Sequence, residues 1–341
     1  MRSARLDMAL ESGAFVVPPA GDVMVLAPRA GDDLSALPRD RVVVLTGFKP
    51  DVDHFQAQGY RMEGGQPSAA VVCLPRARAE ALALIAQASA LLPAGAPILV
   101  DGQKTDGIDS VLKLARAAGF TLGEVISKAH GKACTLDAGP QPAGWAAAPC
   151  QIEGGFVTLP GVFSADAPDR GSVLLAAALP EKLYGRVADL GAGWGYLARA
   201  ILTRADVKSL DLVEADRTAL DCAERNITDP RARFHWADAT RFKPAQPWDA
   251  VVMNPPFHIS RAADPELGAA FLRAALRELV QEVFVDAAEH VAAGVLQCRT
   301  VEDLQQFDQQ VGSWRNRCQQ RLRQGRVHCR DNPDQATLSG P

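Results

Sequence analysis

The regular alternation of short apolar runs with helical segments is the feature that most constrains the fold of this chain. Apolar runs rich in β-branched residues predict buried strands, and the segments between them have helical periodicity. Strands that alternate with helices are typical of parallel sheets covered by helices. The predicted strands lie at 41–48, 69–75, 96–102, 186–190, 207–216, 232–238 and 249–253, and the predicted helices at 76–92, 107–119, 196–202 and 218–227. The sequence therefore predicts an α/β fold.

A stretch rich in glycine, proline and alanine at 137–155 divides the alternating pattern into two halves. Such composition is typical of a domain boundary. At 341 residues the chain is also longer than a single hydrophobic core usually supports. We predict domains at 1–145 and 146–275. Their similar rhythm of strands and helices indicates a duplication, although no repeat is visible at the level of residues.

The composition is that of a soluble globular protein, with 48% hydrophobic and 22% charged residues. A net charge of -4 means that any contact with nucleic acid must come from a local basic patch. The seven cysteines include no C-x-x-C pair, so we expect free thiols, a reducing compartment and no metal site. Without a signal-like N-terminus or a long apolar run, we expect a monomeric cytoplasmic protein that does not enter the membrane.

The sequence DLGAGWG, from Asp189 to Gly195, stands between a predicted strand and a predicted helix. Glycines at this place permit a tight turn and the close approach of a ligand to the backbone. About 20 residues after the turn, Glu214 ends the next strand, where an acid can bind ribose hydroxyls. Asp238 ends the third strand and is placed to meet an adenine amino group. A dinucleotide site is disfavoured because the third glycine of G-x-G-x-x-G is missing.

A fourth strand, DAVVM, runs directly into Asn254-Pro255-Pro256-Phe257. Prolines cannot donate to a sheet ladder, so the strand must stop at Asn254 in a stiff, extended conformation. One interpretation is a rigid exit from the strand. The other is a pair of fixed acceptors, the Asn254 side chain and the Pro255 carbonyl, with Phe257 as a stacking surface for a planar amino group. We predict that the adjacent His258 is a loop residue rather than a general base.

The order DLGAGWG, VEAD, WAD and NPPF resembles the class I S-adenosylmethionine-dependent methyltransferases that act on exocyclic amino groups. LPGVFSADAPDRGSVLLAAALP, SKAHGK and DGQKTDGI are similar to bacterial 16S rRNA guanine-N2 methyltransferases of the two-domain type. The resemblance runs from about residue 40 to about residue 275. It implies two tandem Rossmann-like methyltransferase domains, the N-terminal one lacking a cofactor site. No strand of the first half is followed by a glycine-rich turn, which agrees with that expectation.

The resemblance also implies roles for individual residues. Asp189, Gly191 and Gly193 are expected to hold the methionine end of S-adenosylmethionine, and Gly195 to allow the close turn. Glu214 is expected to bind the ribose and Asp238 the adenine amine. Asn254 and Pro255 would accept hydrogen bonds from the guanine N2 amine of small-subunit rRNA, and Phe257 would stack on the base.

Three other functions remain open at this point. The NPPF sequence would serve equally well for adenine N6 in nucleic acid or for a glutamine amide in a protein. The third alternative is a non-catalytic RNA-binding or assembly protein. Candidate RNA contacts in the acidic chain are Lys104, Lys128, His130, Lys132 and Arg170.

The tail at 276–341 does not follow the expected pattern of an apolar fifth strand and a closing hairpin. The run VQEVFVDAAEHVAAGVLQ could supply a strand or a helix, and the segment after it is polar, helical in pattern and rich in arginine near its end. Two interpretations remain open, a divergent RNA-binding tail or a shifted reading frame that impairs the sheet and the activity. The second is slightly favoured, because few strand-like runs remain.

Overall fold

The computed structural model describes residues 2–255, 265–277, 279–286 and 295–298. Its helices are α1 (Ser3–Glu11), α2 (Lys49–Ala57), α3 (Arg78–Leu91), α4 (Ile108–Ala117), α5 (Arg170–Ala178), α6 (Tyr196–Leu202), α7 (Arg217–Asn226) and α8 (Pro265–Arg277). Its strands are β1 (Asp22–Leu26), β2 (Val42–Leu45), β3 (Pro67–Cys73), β4 (Pro97–Gln103), β5 (Leu122–Lys128), β6 (Gly131–Asp137), β7 (Cys150–Gln151), β8 (Val157–Thr158), β9 (Gly185–Leu190), β10 (Val207–Glu214), β11 (Ala232–Trp236), β12 (Trp248–Met253), β13 (Leu279–Asp286) and β14 (Val295–Cys298). Within this part of the chain, no helix is both long and apolar enough to cross a membrane.

The first half of the chain forms a six-stranded sheet in the order β2-β1-β3-β4-β6-β5. The first four strands of that order are parallel, and β6 runs antiparallel to both β4 and β5. Apolar side chains cover both faces of the sheet in two separate clusters. This agrees with the α/β prediction, because a parallel sheet needs helices and apolar contacts on each side.

One expectation about this sheet is wrong. The first strand is not the run at 41–48 but β1, which lies between β2 and β3 and is buried over Val23–Leu26. With only five residues and an aspartate at its start, β1 gives a weak strand signal in the sequence.

The second half forms another six-stranded sheet, in the order β11-β10-β9-β12-β13-β14. Strands β9 to β13 are parallel, and β14 is antiparallel to β13. Because β9 is followed along the chain by β10 on one side and later by β12 on the other, the strand order reverses beside β9. A crevice at the carboxyl ends of the strands is the usual ligand site of such a sheet.

The sheet continues beyond residue 275, where the sequence pattern was expected to end. Strand β13 pairs in parallel with β12, and β14 closes the sheet as an antiparallel edge. An apolar fifth strand is therefore present at Leu279–Asp286, in the run for which the sequence left strand and helix open, because a glutamine and a glutamate interrupt its apolar pattern. The tail after residue 298 lies outside the described residues, so its two interpretations stay predictions.

The two sheets meet through backbone hydrogen bonds between the loop after β2 and the loop after β10. The Lys49 amide donates to the Ala215 carbonyl at 2.8 Å, and the Arg217 amide donates to the Gly47 carbonyl at 3.0 Å. The indole N–H of Trp236, at the end of β11, donates to the Gly47 carbonyl at 3.0 Å and to the Ala215 carbonyl at 2.9 Å. The first sheet therefore touches the carboxyl edge of the second.

Candidate functional site

Strand register brings the predicted site residues of the second sheet to one edge. Leu190 is paired with Val213 on one side and with Met253 on the other. The residues that follow these three paired positions are Gly191, Glu214 and Asn254. They therefore lie at the same level along the strand direction. Neighbouring strands are about 4.8 Å apart, so about 10 Å separates the backbones of Glu214 and Asn254 across β9. The sequence prediction of one crevice shared by successive strand ends agrees with this register.

The glycine turn after β9 takes a backbone conformation that few other residues adopt. Gly191, Gly193 and Gly195 have φ angles of 73°, 54° and 90°. A Cβ atom at Gly195 would also lie 3.1 Å from the Ile227 side chain. The Gly191 and Ala192 amides both donate to the Val213 carbonyl, at 2.8 and 3.2 Å. Positive φ and the close approach of α7 thus explain this run of glycines.

Asp189, at the end of β9, is fully buried, and neither of its carboxylate oxygens has a hydrogen-bond partner in the described part of the chain. Burial raises its pKa to about 8, with a further contribution from the neighbouring negative charge of Glu214 and a smaller opposing one from the Ala198 amide, which does not reach hydrogen-bond geometry. A buried carboxylate without a donor is costly, and an ammonium group of a ligand would remove that cost. Asp189 therefore fits the methionine amine of the expected cofactor.

Glu214 joins the glycine turn to the strand beside it. Its Oε2 accepts a hydrogen bond from the Gly193 amide at 2.8 Å, and its Oε1 accepts one from the Asp216 amide at 2.8 Å. Burial nevertheless raises its pKa, and the Asp216 charge adds to this effect. The carboxylate is thus held rigidly, as a residue that binds ribose hydroxyls should be.

Asp238 lies two residues beyond the end of β11 and is held by its own turn. Its Oδ1 accepts hydrogen bonds from the Thr240 amide at 2.9 Å and from the Thr240 hydroxyl at 2.6 Å. The carboxylate is therefore fixed on the side of the crevice formed by β10 and β11. This position is compatible with the predicted contact to an adenine amine.

Asn254 directly follows β12, so the strand stops where the prolines require it to stop. Its Nδ2 donates to Asp169 Oδ2 at 3.0 Å and to the Ser172 hydroxyl at 2.9 Å. Because a carboxylate only accepts, the nitrogen side of the amide must face Asp169. The Oδ1 oxygen then lies on the opposite side of the amide group. Pro255 is buried, whereas Phe257 and His258 fall outside the described residues and their roles stay predictions.

Sequence reasoning missed the two residues that hold Asn254. Asp169 is the N-cap of α5, and its Oδ2 also accepts a hydrogen bond from the Ser172 amide at 3.0 Å. An Asp followed three residues later by Ser, before an apolar run, is a recognisable helix start. That signal predicts the cap but not the contact with Asn254, which is 85 positions away.

A third missed residue, Asn226, secures the other end of the glycine turn. Its Nδ2 donates to the Trp194 carbonyl at 2.8 Å and to the Val157 carbonyl at 2.9 Å. The indole N–H of Trp194 in turn donates to the Phe163 carbonyl at 2.8 Å. The loop before α5 is thereby attached to the glycine turn, so the supports of Asn254 and of the turn form one connected structure.

The predicted RNA contacts lie mostly at the edge of the first sheet. Lys128 and Lys132 flank the tight turn between β5 and β6, and the Lys104 amide donates to the His130 carbonyl at 3.0 Å. Lys132 forms an ion pair with Asp109 at 2.6 Å. Arg170 is the first residue of α5, beside Asp169. Their contact with RNA remains a prediction. Among the described residues no three histidine, cysteine or acidic side chains are grouped as metal ligands are.

The carboxyl edge of the first sheet is filled by side chains of its own chain. Arg5 of α1 is fully buried and donates from Nε and Nη2 to the two oxygens of Asp101 in β4, each at 2.7 Å. Arg2 donates to Asp101 at 3.0 Å and to Asp32, beyond β1, at 2.7 Å. Arg5 also donates to the Lys128 carbonyl at the end of β5, at 3.0 Å. Arg2 and Arg5 thus bridge several strand ends of the first sheet. They occupy the edge that corresponds to the predicted site of the second sheet.

Comparison with known proteins assigns the second sheet to a methyltransferase family. A family profile described as the methyltransferase small domain matches residues 153–301. A ribosomal RNA small subunit methyltransferase C of Pseudomonas paraeruginosa is 32% identical over 241 residues, which cover 67% of this chain and 68% of that protein. Its counterpart in Psychromonas ingrahamii is 29% identical over 222 residues, covering 61% of this chain and 63% of the relative. Several such curated relatives are matched over only 60–63% of their own length.

A solved structure extends the likeness to most of the chain. The T. thermophilus 16S rRNA N2 methyltransferase, determined in complex with AdoMet and guanosine, matches 79% of this chain and 80% of its own with a TM-score of 0.64. The sequence identity is 25%. The crevice beside β9, the shared fold and the identity to the Pseudomonas protein agree, and this chain belongs to the ribosomal RNA small subunit methyltransferase C family.

Proposed function

We propose that this protein transfers a methyl group from S-adenosylmethionine to the exocyclic N2 amine of a guanine in 16S ribosomal RNA. The observation that carries the proposal is the anchored amide of Asn254, placed level with Glu214 and the glycine turn at one sheet edge. The names of the relatives and the guanosine bound by the T. thermophilus enzyme support the substrate.

The cofactor side of the site would be formed by the residues on β9, β10 and β11. Asp189 would bind the methionine amine, Glu214 the ribose hydroxyls and Asp238 the adenine amine. Gly193 would leave room for the ligand against the backbone, since a Cβ there would meet nothing within 4 Å, whereas a Cβ at Gly191 would lie 3.3 Å from the Phe271 ring. S-adenosylmethionine supplies an electrophilic methyl group on a sulfonium ion, so the protein needs chiefly to align the nucleophile with it.

The base side of the site would activate a poor nucleophile. The lone pair of the guanine amine is delocalised into the ring. If Asn254 Oδ1 and the Pro255 carbonyl accept its two hydrogens, the amine is held with its lone pair available and the charge that develops on nitrogen is stabilised. Asp169 and Ser172 contribute by fixing which side of the Asn254 amide faces the base. Phe257 would stack on the guanine after it leaves the RNA helix.

The first sheet belongs to the same proposal as a methyltransferase-like domain at 1–145 without a cofactor site. Its strand order, with β1 between β2 and β3, parallels that of the second sheet around β9. Arg2 and Arg5 occupy its carboxyl edge, and the residues after β1 are Ala27-Pro28 rather than a run of glycines. The proposed role of this domain is to contribute RNA contacts, with Lys104, Lys128, His130 and Lys132 as candidates.

The other interpretations are separable by acceptor. An anchored asparagine amide would hold adenine N6 or a glutamine amide in the same way, so the site alone does not choose among planar amines. The relatives favour rRNA. A non-catalytic RNA-binding role would require that the ordered crevice beside β9 binds the cofactor without transfer.

The test is transfer of labelled methyl from S-adenosylmethionine to undermethylated 30S subunits, naked 16S rRNA, DNA and protein. We expect label in rRNA, recovered as N2-methylguanine after digestion. Recovery as N6-methyladenine or methylglutamine would replace the proposed substrate. Cofactor binding without transfer to any acceptor would favour the binding role. A matched reaction with the Asn254→Ala variant controls for contaminating methyltransferases.

A further inference from the structure

A basic cavity lies beside the predicted adenine side of the crevice and is separate from the residues assigned to the cofactor or the base. It has a volume of about 620 Å³ and is open to solvent. Its walls come from the turn after β11 and from one face of α8. The lining residues are Thr240, Arg241, Ala270, Arg273 and Arg277.

The spacing on α8 explains why these side chains share the cavity. Positions 270, 273 and 277 are three and four residues apart, which places them on one face of a helix. The residues Phe271, Ala274 and Ala275 are buried, so a different face of α8 packs against the protein. Ala270 is small and leaves the space open between the arginines and the turn.

One hydrogen bond fixes the two walls relative to each other. Arg277 Nη2 donates to the Thr240 carbonyl at 2.7 Å. Thr240 also holds the carboxylate of Asp238 through its amide and its hydroxyl. The turn that carries the expected adenine contact is therefore the same turn that forms one wall of the cavity.

The charge of the cavity is uncompensated within the described structure. None of the residues that line it is acidic. Arg241, Arg273 and Arg277 form no ion pair with the described part of the chain, although Asp238 lies nearby on the same turn. Arginines that carry a bidentate fork and share a concave surface are suited to phosphate, because each N–H pair matches two phosphate oxygens. The whole chain is acidic, with a net charge of -4, so this local cluster runs against its average charge.

We propose that this cavity binds phosphodiester groups of the RNA strand that carries the methylated guanine. The proposal rests on the proposed function, since it assumes an RNA substrate at the crevice beside β9. Phosphate contacts position a nucleic acid without reading its sequence. Contacts at the turn after β11 would therefore set the path of the strand next to the cofactor, while Asn254 and Pro255 select the amine.

The test uses the full chain and a double variant, Arg273→Gln/Arg277→Gln. Lys113→Gln/Arg116→Gln removes the same charge from exposed positions on α4 and is the matched control. We expect the double variant to bind a 16S rRNA fragment about tenfold more weakly, with the salt dependence of log Kd reduced by about one per lost contact. The KM for RNA should rise in proportion, while the Kd for S-adenosylmethionine stays that of the unmodified chain.

Three results would decide against the proposal. Equal RNA affinity and salt slope in the double variant and its control would exclude a phosphate contact here. Loss of cofactor affinity would indicate that the arginines only support the Asp238 turn. If inorganic phosphate competes with RNA at low concentration, and the double variant loses affinity for phosphate as it does for RNA, the cavity is a site for a small phosphate ligand instead.

The single variant Arg273→Gln separates a lost phosphate contact from a folding defect. Arg273 forms no hydrogen bond with the described residues, whereas Arg277 donates a hydrogen bond to Thr240. We expect the single variant to show about half of the change in salt slope, with an unchanged melting temperature. Failure of the proposed function is recognised separately. In that case the unmodified chain transfers no methyl group to RNA, whatever the arginine variants do.

Discussion

The two sheets of this protein have related strand orders, but their carboxyl edges differ in how charge is satisfied. In the first sheet the buried carboxylate of Asp101 is bound by Arg5 and Arg2, which belong to the same chain. In the second sheet the equally buried carboxylate of Asp189 has no hydrogen-bond partner in the described structure. The carboxylate at one edge is therefore paired within the chain, and the carboxylate at the other is the one for which we propose a donor from a ligand.

Topology alone therefore does not make a binding site. A buried ion pair compensates its own desolvation when its geometry is good, and the bidentate Arg5–Asp101 contact has that geometry. A buried carboxylate without a partner is retained at a cost to stability, which is typical of functional positions.

The largest effect is expected from Asn254→Ala. This change removes the proposed side-chain acceptor for the base from the second edge and leaves the proposed cofactor residues intact. Loss of one such group costs about 10²–10³-fold in rate in comparable sites. We expect kcat to fall by about 10³-fold, measured as labelled methyl transferred to rRNA. Calorimetry should give a cofactor Kd within about twofold of the unmodified chain.

The activity of Asn254→Ala also tests the contrast between the two sheet edges. If Asn254→Ala transfers methyl at the normal rate, the second edge is not the catalytic one and the contrast with the first edge has no functional meaning. Gln103→Ala at the end of β4, the fourth strand of the first half, is the matched control. It should leave transfer unchanged.

The second prediction concerns the first edge and uses Arg5→Met. Removing Arg5 leaves Asp101 buried with Arg2 as its remaining cationic partner, and breaking a buried pair from one side costs about 3 kcal/mol. We expect the free energy of unfolding, measured in urea, to fall by that amount. The cofactor Kd should not change, because the ion pair belongs to the other sheet.

The double variant Arg5→Met/Asp101→Leu separates charge from packing. With both partners replaced by apolar groups, most of the lost stability should return. The stoichiometry of S-adenosylmethionine should remain one per chain, since the first edge has no glycine turn even when its arginine is removed. We expect the backbone, and not only the arginine, to prevent cofactor binding at the first edge. Binding of a second equivalent of S-adenosylmethionine to Arg5→Met would contradict this expectation.

The third prediction uses Asp189→Asn and the pH dependence of stability. The pKa of Asp189 is raised to about 8 by burial and by Glu214. Because an acid with a raised folded pKa keeps its proton in the folded state, stability is lost as the pH rises from about 4 towards 8. We expect Asp189→Asn to reduce this loss and to melt at a higher temperature than the unmodified chain at pH 8.

The same substitution should weaken the binding of the cofactor, since an amide cannot pair with the methionine amine as a carboxylate does. An affinity loss of about 2 kcal/mol corresponds to a hydrogen bond with a charged group. Asp101→Asn serves as the comparison at the first edge, where the cofactor Kd should not change. Equal pH profiles for Asp189→Asn and the unmodified chain would show that Asp189 has a partner in solution.

Much of this comparison was predictable from the sequence. In the sequence, an apolar run marks the end of each of the strands β9, β10 and β12. The first run stops at Asp189-Leu190-Gly191, the second at Glu214 and the third at Asn254. Since parallel strands share one carboxyl edge, these residues were expected to meet. The strand register brings these residues to one edge because each signal is local and parallel pairing aligns the strand ends, and their roles stay predictions.

The unpredicted parts depend on contacts between distant positions. Arg5 and Asp101 are 96 residues apart, and nothing in MRSARLDMALE indicates that a surface-like helix carries a buried arginine. Strand β1 was missed because five residues give too little periodicity. Strand β13 was not distinguished from a helix because Gln281 and Glu282 interrupt its apolar run, and the pairing with β12 decides for a strand.

The smallest effect is expected from Asp169→Asn, which tests how the second edge is pre-organised. Asparagine caps a helix about as well as aspartate, so α5 and the melting temperature should be unchanged. Its amide nitrogen, however, permits the Asn254 side chain to turn over and present Nδ2 to the base. We expect kcat to fall by about tenfold, or about 1.4 kcal/mol, while KM for RNA and the cofactor Kd stay constant. Asp169→Ala removes the cap as well and should lower both kcat and stability. If Asp169→Asn transfers at the full rate, Asn254 is oriented by the base itself, and the second edge is less rigidly prepared than the ion-paired first edge.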